Sequence, residues 1–147
     1  MKRYAVLILV AGALIAAEKK KEALPKDVEK MQGDWTIVQA LHNGESADED
    51  KIKEAALVFK GSKFTLTMNG ETHEVPFTVD PKKKPKTIDA KPTNGMFKDK
   101  TLLGIYEIKG DDLKMCFSEP GSDRPTEIKS EGGSNTFMMV VKRKKSD

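Results

Sequence analysis

The chain has 147 residues, a single cysteine and a formal net charge of +3. This length suits one domain with its own core, and one cysteine excludes an intramolecular disulfide. Residues 18–147 alone carry 24 basic and 23 acidic side chains, a net charge of +1. Nucleic-acid binding is therefore not expected, because it needs a net basic surface.

Residues 1–17 have the three parts of a secretory signal peptide. Lys2 and Arg3 are basic, Ala5–Ala17 is an apolar run of 13 residues, and the run ends in small residues. A membrane-spanning helix needs about 20 apolar residues, so a cleaved signal is predicted and an uncleaved anchor is the alternative. The prediction places the protein in the periplasm or outside the cell, with no membrane span after cleavage.

The rest of the chain divides into two predicted segments. Residues 18–30 are charged, carry Pro25 and are predicted to be a linker with at most a helical turn. Residues 31–145 are predicted to form one domain, because most of that segment alternates with period two between turn residues. Trp35–Leu41 is its first predicted strand, Ala47–Ala56 a short helix, and Leu57–Lys60 the second strand.

Two hairpins can be registered from the sequence alone. Asn69-Gly70 is a strong two-residue turn signal, and pairing around it directs Phe64, Leu66, Met68, His73, Val75, Phe77 and Val79 to one face. A second hairpin turns at Gly110-Asp111 and pairs Tyr106 with Met115 and Gly104 with Phe117. Ile105 and Cys116 then face each other outside, either beneath a covering segment or in an exposed patch.

Three more segments of alternating residues are predicted to complete the sheet. Thr87–Ala90 is predicted to be a short strand, and Glu127–Ser130 is predicted to form a final hairpin with Thr136–Lys144. The fold class is therefore all-β, with about eight antiparallel strands and one short helix after the first. A barrel is favoured, since closure removes the exposed edges that such strands would leave.

The first-strand G-x-W at Gly33 and Trp35, the turn Asn43–Glu45 and the lysine-rich run Asp80–Asp89 resemble motifs of a lipocalin-like domain family of uncharacterised exported planctomycete proteins. The resemblance runs from Val28 to Lys144 and includes the first-strand G-x-W at Gly33 and Trp35. It implies a small barrel in which an arginine of the last strand, here Arg143, packs over the tryptophan, and it implies no activity. The matching segments are Met31–Trp35, Asn43–Glu45, Phe59–Gly61, Asp80–Asp89, Gly104–Glu107 and Arg124–Glu127.

The inward face is the candidate ligand site. A barrel of this size either holds one small apolar ligand or is filled by its own side chains, and both alternatives stay open. His73 points inward near a rim, where it is able to orient a polar ligand head or to ligate a metal or haem iron. His42 is the only other histidine and no metal-ligand cluster occurs, which favours a rim histidine without a functional role. The candidate lining residues are Phe64, Leu66, Met68, His73, Phe77, Tyr106, Met115 and Phe117.

The sequence favours binding over catalysis. No metalloprotease, nucleophile-elbow, phosphate-loop or dinucleotide motif occurs, so we expect no enzyme, no metal and no cofactor. The first hypothesis is an exported barrel that binds a small hydrophobic or amphipathic molecule. The alternative is an envelope-associated protein-interaction or structural module with a filled core, which uses surfaces such as the basic loop Lys82–Lys86.

Overall fold

The computed structural model describes residues 24–145. The predicted signal peptide, residues 1–17, and residues 18–23 of the predicted linker lie outside them. The described residues form two short helices and nine strands. In chain order these are α1 (Lys26–Met31), β1 (Gly33–His42), β2 (Glu45–Ser46), α2 (Glu49–Glu54), β3 (Ala56–Lys60), β4 (Lys63–Met68), β5 (Glu71–Asp80), β6 (Thr87–Ala90), β7 (Leu102–Lys109), β8 (Asp112–Ser118) and β9 (Thr136–Arg143).

The strands close into an antiparallel barrel, which confirms the predicted fold class. Strands β3 to β9 pair in chain order, and β1 pairs with both β3 and β9. The two-residue strand β2 extends the end of β1 as a small hairpin outside this ring. Neither helix among residues 24–145 is long and apolar enough to cross a membrane.

Both predicted hairpin registers are confirmed. In the β4–β5 pair Met68 lies opposite Glu71 and Leu66 opposite His73. In the β7–β8 pair Gly104 lies opposite Phe117. The turn signals fix these registers because a slip of one residue would move every apolar side chain to the other face.

The predicted last hairpin is wrong. Glu127–Ser130 is not a strand, and β9 pairs instead with β8 and β1. The segment packs Ile128 against an outer cluster of Ile105, Cys116 and Met138. Its Lys129 carbonyl also accepts a hydrogen bond from the Cys116 thiol. Covering this apolar outer patch stabilises the segment without strand pairing, and it shows that Ile105 and Cys116 are buried beneath it.

Helix α1 closes one end of the barrel. Val28 and Met31 are buried in the main core, and the Trp35 indole donates a 2.7 Å hydrogen bond to the Met31 carbonyl. Arg143 covers the Trp35 ring at 4.5 Å from its centroid, as the resemblance implied. Lys26–Lys30, predicted to belong to a linker, therefore belong to the packed unit, because Asp27 and Val28 are buried against the barrel.

Candidate functional site

The other end of the barrel is open and holds a cavity of about 670 Å³. It lies where β1, β4 and β5 meet the start of β9 and the end of β8, away from α1. Its walls are largely apolar, while carboxylates and two histidines lie at its rim. The main apolar contributors are Ala40, Leu66, Met68, Val75, Phe97, Phe117, Phe137 and Met139.

The structure divides the predicted lining residues between two halves of the barrel. Leu66, Met68, His73 and Phe117 line the cavity. Phe64, Phe77, Tyr106 and Met115 do not; they are buried in the packed half next to α1. Strand alternation specifies which side of the sheet a residue faces, but it carries no information about depth along the barrel axis.

Aromatic side chains fill the closed half. The Phe59 ring lies 5.3 Å from Phe64 and 5.4 Å from Phe77, within the range of favourable aromatic pairs. Trp35 lies edge-on to Phe59 at 6.4 Å. This packing leaves no room for a ligand, so the cavity ends where the aromatic cluster begins.

Tyr106 has a structural partner in the closed half. Its hydroxyl donates a 2.7 Å hydrogen bond to Asp27 Oδ2, which also accepts a 2.9 Å bond from Lys86 Nζ. Burial, then the Asp27 carboxylate, raise the pKa of Tyr106. Burial would raise the pKa of Asp27, but hydrogen bonds from Tyr106 and Lys86 and the charges of Lys86 and Lys30 outweigh it and lower that pKa. This network fastens α1 to the barrel wall.

The segment 91–101, between β6 and β7, borders the cavity mouth. Asn94 donates to the Thr72 carbonyl and contacts His73 Nδ1 at 3.2 Å, while the Thr93 hydroxyl donates to the Glu74 carbonyl. Across the mouth, the Phe97 ring packs edge-on against Phe137 at 5.6 Å. The segment thus joins β5 to β9 over part of the opening.

The backbone of segment 91–101 also comes close to the histidine. A Cβ at Gly95 would lie 2.9 Å from Cε1 of His73, and Gly95 has a positive φ of 84°. Only glycine fits this position, because a side chain would displace the imidazole. Close packing therefore sets the orientation of His73 at the rim.

Each rim histidine faces a glutamate. His73 Nε2 lies 3.5 Å from Glu71 Oε2, and His42 Nε2 lies 3.5 Å from Glu119 Oε2. His42 also stacks on Phe137 with ring centroids 4.1 Å apart. Among residues 24–145, no three histidine, cysteine, aspartate or glutamate side chains are grouped to hold a metal ion.

Two further charged features, the Arg124 side chain and a lysine-rich groove, lie on the outside of the barrel. Arg124 Nη1 donates to Asp89 at 2.6 Å and to the Gly104 carbonyl at 2.8 Å, which makes it a loop anchor. A groove of about 670 Å³ on the outer wall lies between Lys83–Lys86, β7 and Thr126–Ile128. Several lysines line this groove, together with Glu107 and Glu127.

Sequence reasoning missed part of the cavity. Phe97 and Asn94 belong to a connection with no strand alternation, so nothing in the pattern placed them over the mouth. Phe137 belongs to the last predicted strand, Thr136–Lys144, but it is not among the predicted lining residues. The aromatic Phe97, two residues after the Asn94-Gly95 turn signal, is the one local indication that this connection packs against the barrel.

No family model and no curated protein matches the chain. The chain is similar to the crystal structure of a DUF4847 family protein from Bacteroides vulgatus ATCC 8482, with 14% sequence identity and a TM-score of 0.48. The match covers 84% of this chain and 100% of that one. A likeness at this level assigns neither a family nor an activity.

Proposed function

We propose that this protein is an exported, non-enzymatic, lipocalin-like barrel that holds a small hydrophobic or amphipathic molecule in its open half. The observation that carries the proposal is the cavity of about 670 Å³ with largely apolar walls. Small-molecule sites typically enclose about 300–1,000 Å³ and are lined mostly by apolar side chains with a few polar groups. This cavity has that size and composition.

The division of the barrel supports the same function. Side chains such as Phe59, Phe64 and Phe77 fill the closed half, and they supply the burial on which folding depends. The open half leaves Leu66, Met68 and Met139 only partly buried. Apolar surface in contact with water is unfavourable by about 25 cal/mol per Å², so an apolar ligand would gain free energy by covering it.

Export and the absence of catalysis rest on the sequence. Residues 1–17 have signal-peptide character, and the chain lacks recognisable catalytic motifs. The resemblance of Val28–Lys144 to a family of exported lipocalin-like proteins stays a prediction. It implies a small barrel and no activity. The cavity supports ligand binding, and the signal-peptide character of residues 1–17 supports export.

A pair of variants on β1 tests the proposal. Ala40 lines the cavity, whereas Val38, two residues earlier, is 49% exposed. Ala40→Phe should fill the cavity and weaken binding of the neutral dye Nile red at least about tenfold, while Val38→Phe should leave binding unchanged. Native mass spectrometry of protein from its own host would identify a retained molecule. Equal Nile red binding by both variants would contradict binding in the cavity.

The outer groove favours a second candidate, an envelope-associated interaction module. Lys83, Lys84 and Lys114 line it and make no ion pair among residues 24–145. Unpaired like charges in a concave surface attract acidic partners. Lys83→Glu together with Lys84→Glu should abolish cross-linking to an acidic envelope protein, and unchanged cross-linking would count against this candidate.

A further inference from the structure

We infer that the molecule held in the cavity is a cationic amphiphile, with an alkyl or aromatic tail inside and an ammonium-type head at the mouth. This inference rests on the proposed function and adds the chemical class of the ligand. Two observations carry it together: the apolar walls and the sign of the charges around them.

Five ionisable residues line the cavity. Three are glutamates, here called the rim carboxylates, Glu45, Glu71 and Glu119; the others are His42 and His73. No lysine or arginine lines the cavity among residues 24–145. The chain has 26 basic residues, so their absence from this lining is a local property and not a consequence of composition.

Nearby lysines do not alter this balance. Segment 91–101 borders the mouth and carries Lys91, Lys98 and Lys100, but its residues that line the cavity are Pro92, Asn94, Gly95, Met96 and Phe97. The three lysines are exposed. A ligand head at the mouth therefore meets carboxylate oxygens and imidazoles before it meets any ammonium group.

The rim carboxylates are available to a ligand. Glu45 makes no ion pair among residues 24–145, and Glu71 is 76% exposed with only a 3.5 Å contact to His73. Glu119 has a comparable 3.5 Å contact to His42. These contacts are long for charge-assisted hydrogen bonds, so a cationic head has no strong pair to break.

The apolar walls lie below the rim carboxylates, and this arrangement suits an amphiphile with its tail inside and its head at the mouth. Leu66, Val75 and Phe117 form walls below the rim, and the carboxylates lie where the cavity meets water. A fatty-acid carboxylate in the same position would face charges of its own sign, which is unfavourable. An ammonium head keeps its hydration on one side and accepts carboxylate contacts on the other.

The test compares two probes that share a tail. Dodecyltrimethylammonium and dodecanoate, both below their micelle concentrations, are used to displace Nile red from the full mature chain. We expect the cation to displace the dye at a concentration about fivefold or more below that of the anion, because exposed charge pairs are individually weak. The preference should shrink as salt concentration rises.

Matched variants locate the preference. Glu71→Gln with Glu119→Gln removes two of the three rim carboxylates and should reduce the preference at least about twofold, while Nile red still binds. Glu107→Gln with Glu127→Gln removes the same charge at the outer groove and should preserve the preference. Equal displacement by both probes, tighter binding of dodecanoate, or a preference that the rim variant leaves unchanged would overturn the inference while leaving the proposed function intact. Failure of Nile red and both probes to bind would overturn both.

Discussion

The guanidinium of Arg143 lies over the indole of Trp35, 4.5 Å from its centroid, and the two residues are direct partners in the β1–β9 pair. Its Nη1 donates a 2.8 Å hydrogen bond to the Gln32 carbonyl, and its Nη2 donates to the Lys30 carbonyl. These carbonyls belong to the C-terminal end of α1, where backbone acceptors lack helical partners. One side chain therefore joins the helix, the first strand and the last strand.

Replacing Arg143 with lysine should destabilise the barrel by about 1–2 kcal/mol, because an ammonium cannot stack on the indole while donating to two carbonyls. Trp35 is the only tryptophan, so its fluorescence reports urea unfolding at this site. Asp111→Asn is the control: Asp111 also bonds Arg143 but is 74% exposed, and its loss should cost less than about 0.5 kcal/mol. Equal effects of both variants would contradict the stacking role.

Tyr106→Phe should lower the free energy of unfolding by about 1–2 kcal/mol at neutral pH. The substitution removes a donor to the buried carboxylate of Asp27, and hydrogen bonds to charged groups lie at the strong end of the range. A double-mutant cycle with Asp27→Asn, measured by urea unfolding, isolates the coupling. Additive effects of the two substitutions would show that the hydrogen bond contributes nothing.

The free energies of unfolding of the wild type and of Tyr106→Phe should respond differently to alkaline pH. Because the folded state raises the pKa of Tyr106, its contribution to stability is complete below about pH 10, the ordinary tyrosine value. It is lost as pH rises above that value, by up to about 1.4 kcal/mol per pH unit. The stability difference between wild type and Tyr106→Phe should therefore narrow above pH 10. A difference that stays constant from pH 7 to pH 11 would contradict this linkage.

Gly104→Ala should cost about 1–3 kcal/mol. A Cβ at this position would lie 2.5 Å from Cδ1 of Phe117 and 2.8 Å from the Cys116 carbonyl oxygen, so the strand pair must separate. Gly132→Ala is the matched control, because no atom lies within 4 Å of the added carbon. Urea midpoints for the two variants provide the comparison, and equal midpoints would show that β7 accommodates the methyl group.

Cys116 should resist thiol reagents while the protein is folded. It is fully buried, and burial raises the pKa of its thiol despite hydrogen bonds with Lys129 and Thr136 that act in the opposite direction. Ile128→Ala removes part of the side chain that packs over Cys116. It should speed thiol labelling about tenfold, because local opening of this segment then requires less free energy. Ile52→Ala, a partly buried isoleucine of α2, is the control. Rapid labelling of the wild type would contradict the burial.

The parts of the fold that local chemistry determines were predictable. Asn69-Gly70 and Gly110-Asp111 define two-residue turns, and the alternation beside them fixes which residues pair across each hairpin. The pairing of Trp35 with Arg143 joins residues far apart in sequence, and it followed from the family resemblance and not from periodicity.

The parts that depend on three-dimensional packing were not predictable. Glu127–Ser130 alternates like a strand, yet it covers Cys116 on the outside of the sheet. Lys26–Met31 is rich in charge, yet Val28 and Met31 fill the end of the barrel. The division between packed and open halves depends on how far along the axis each aromatic ring lies, which no pattern of period two encodes.

Closure of the barrel by α1 has a practical consequence for the orientation of the molecule. Leu24, which precedes α1, packs against the main core, and β9 ends at Arg143 beside the same helix. Both ends of the described chain therefore leave from the face opposite the mouth. A fusion partner, affinity tag or solid support attached at either of these ends would display the cavity outward and leave its opening unobstructed.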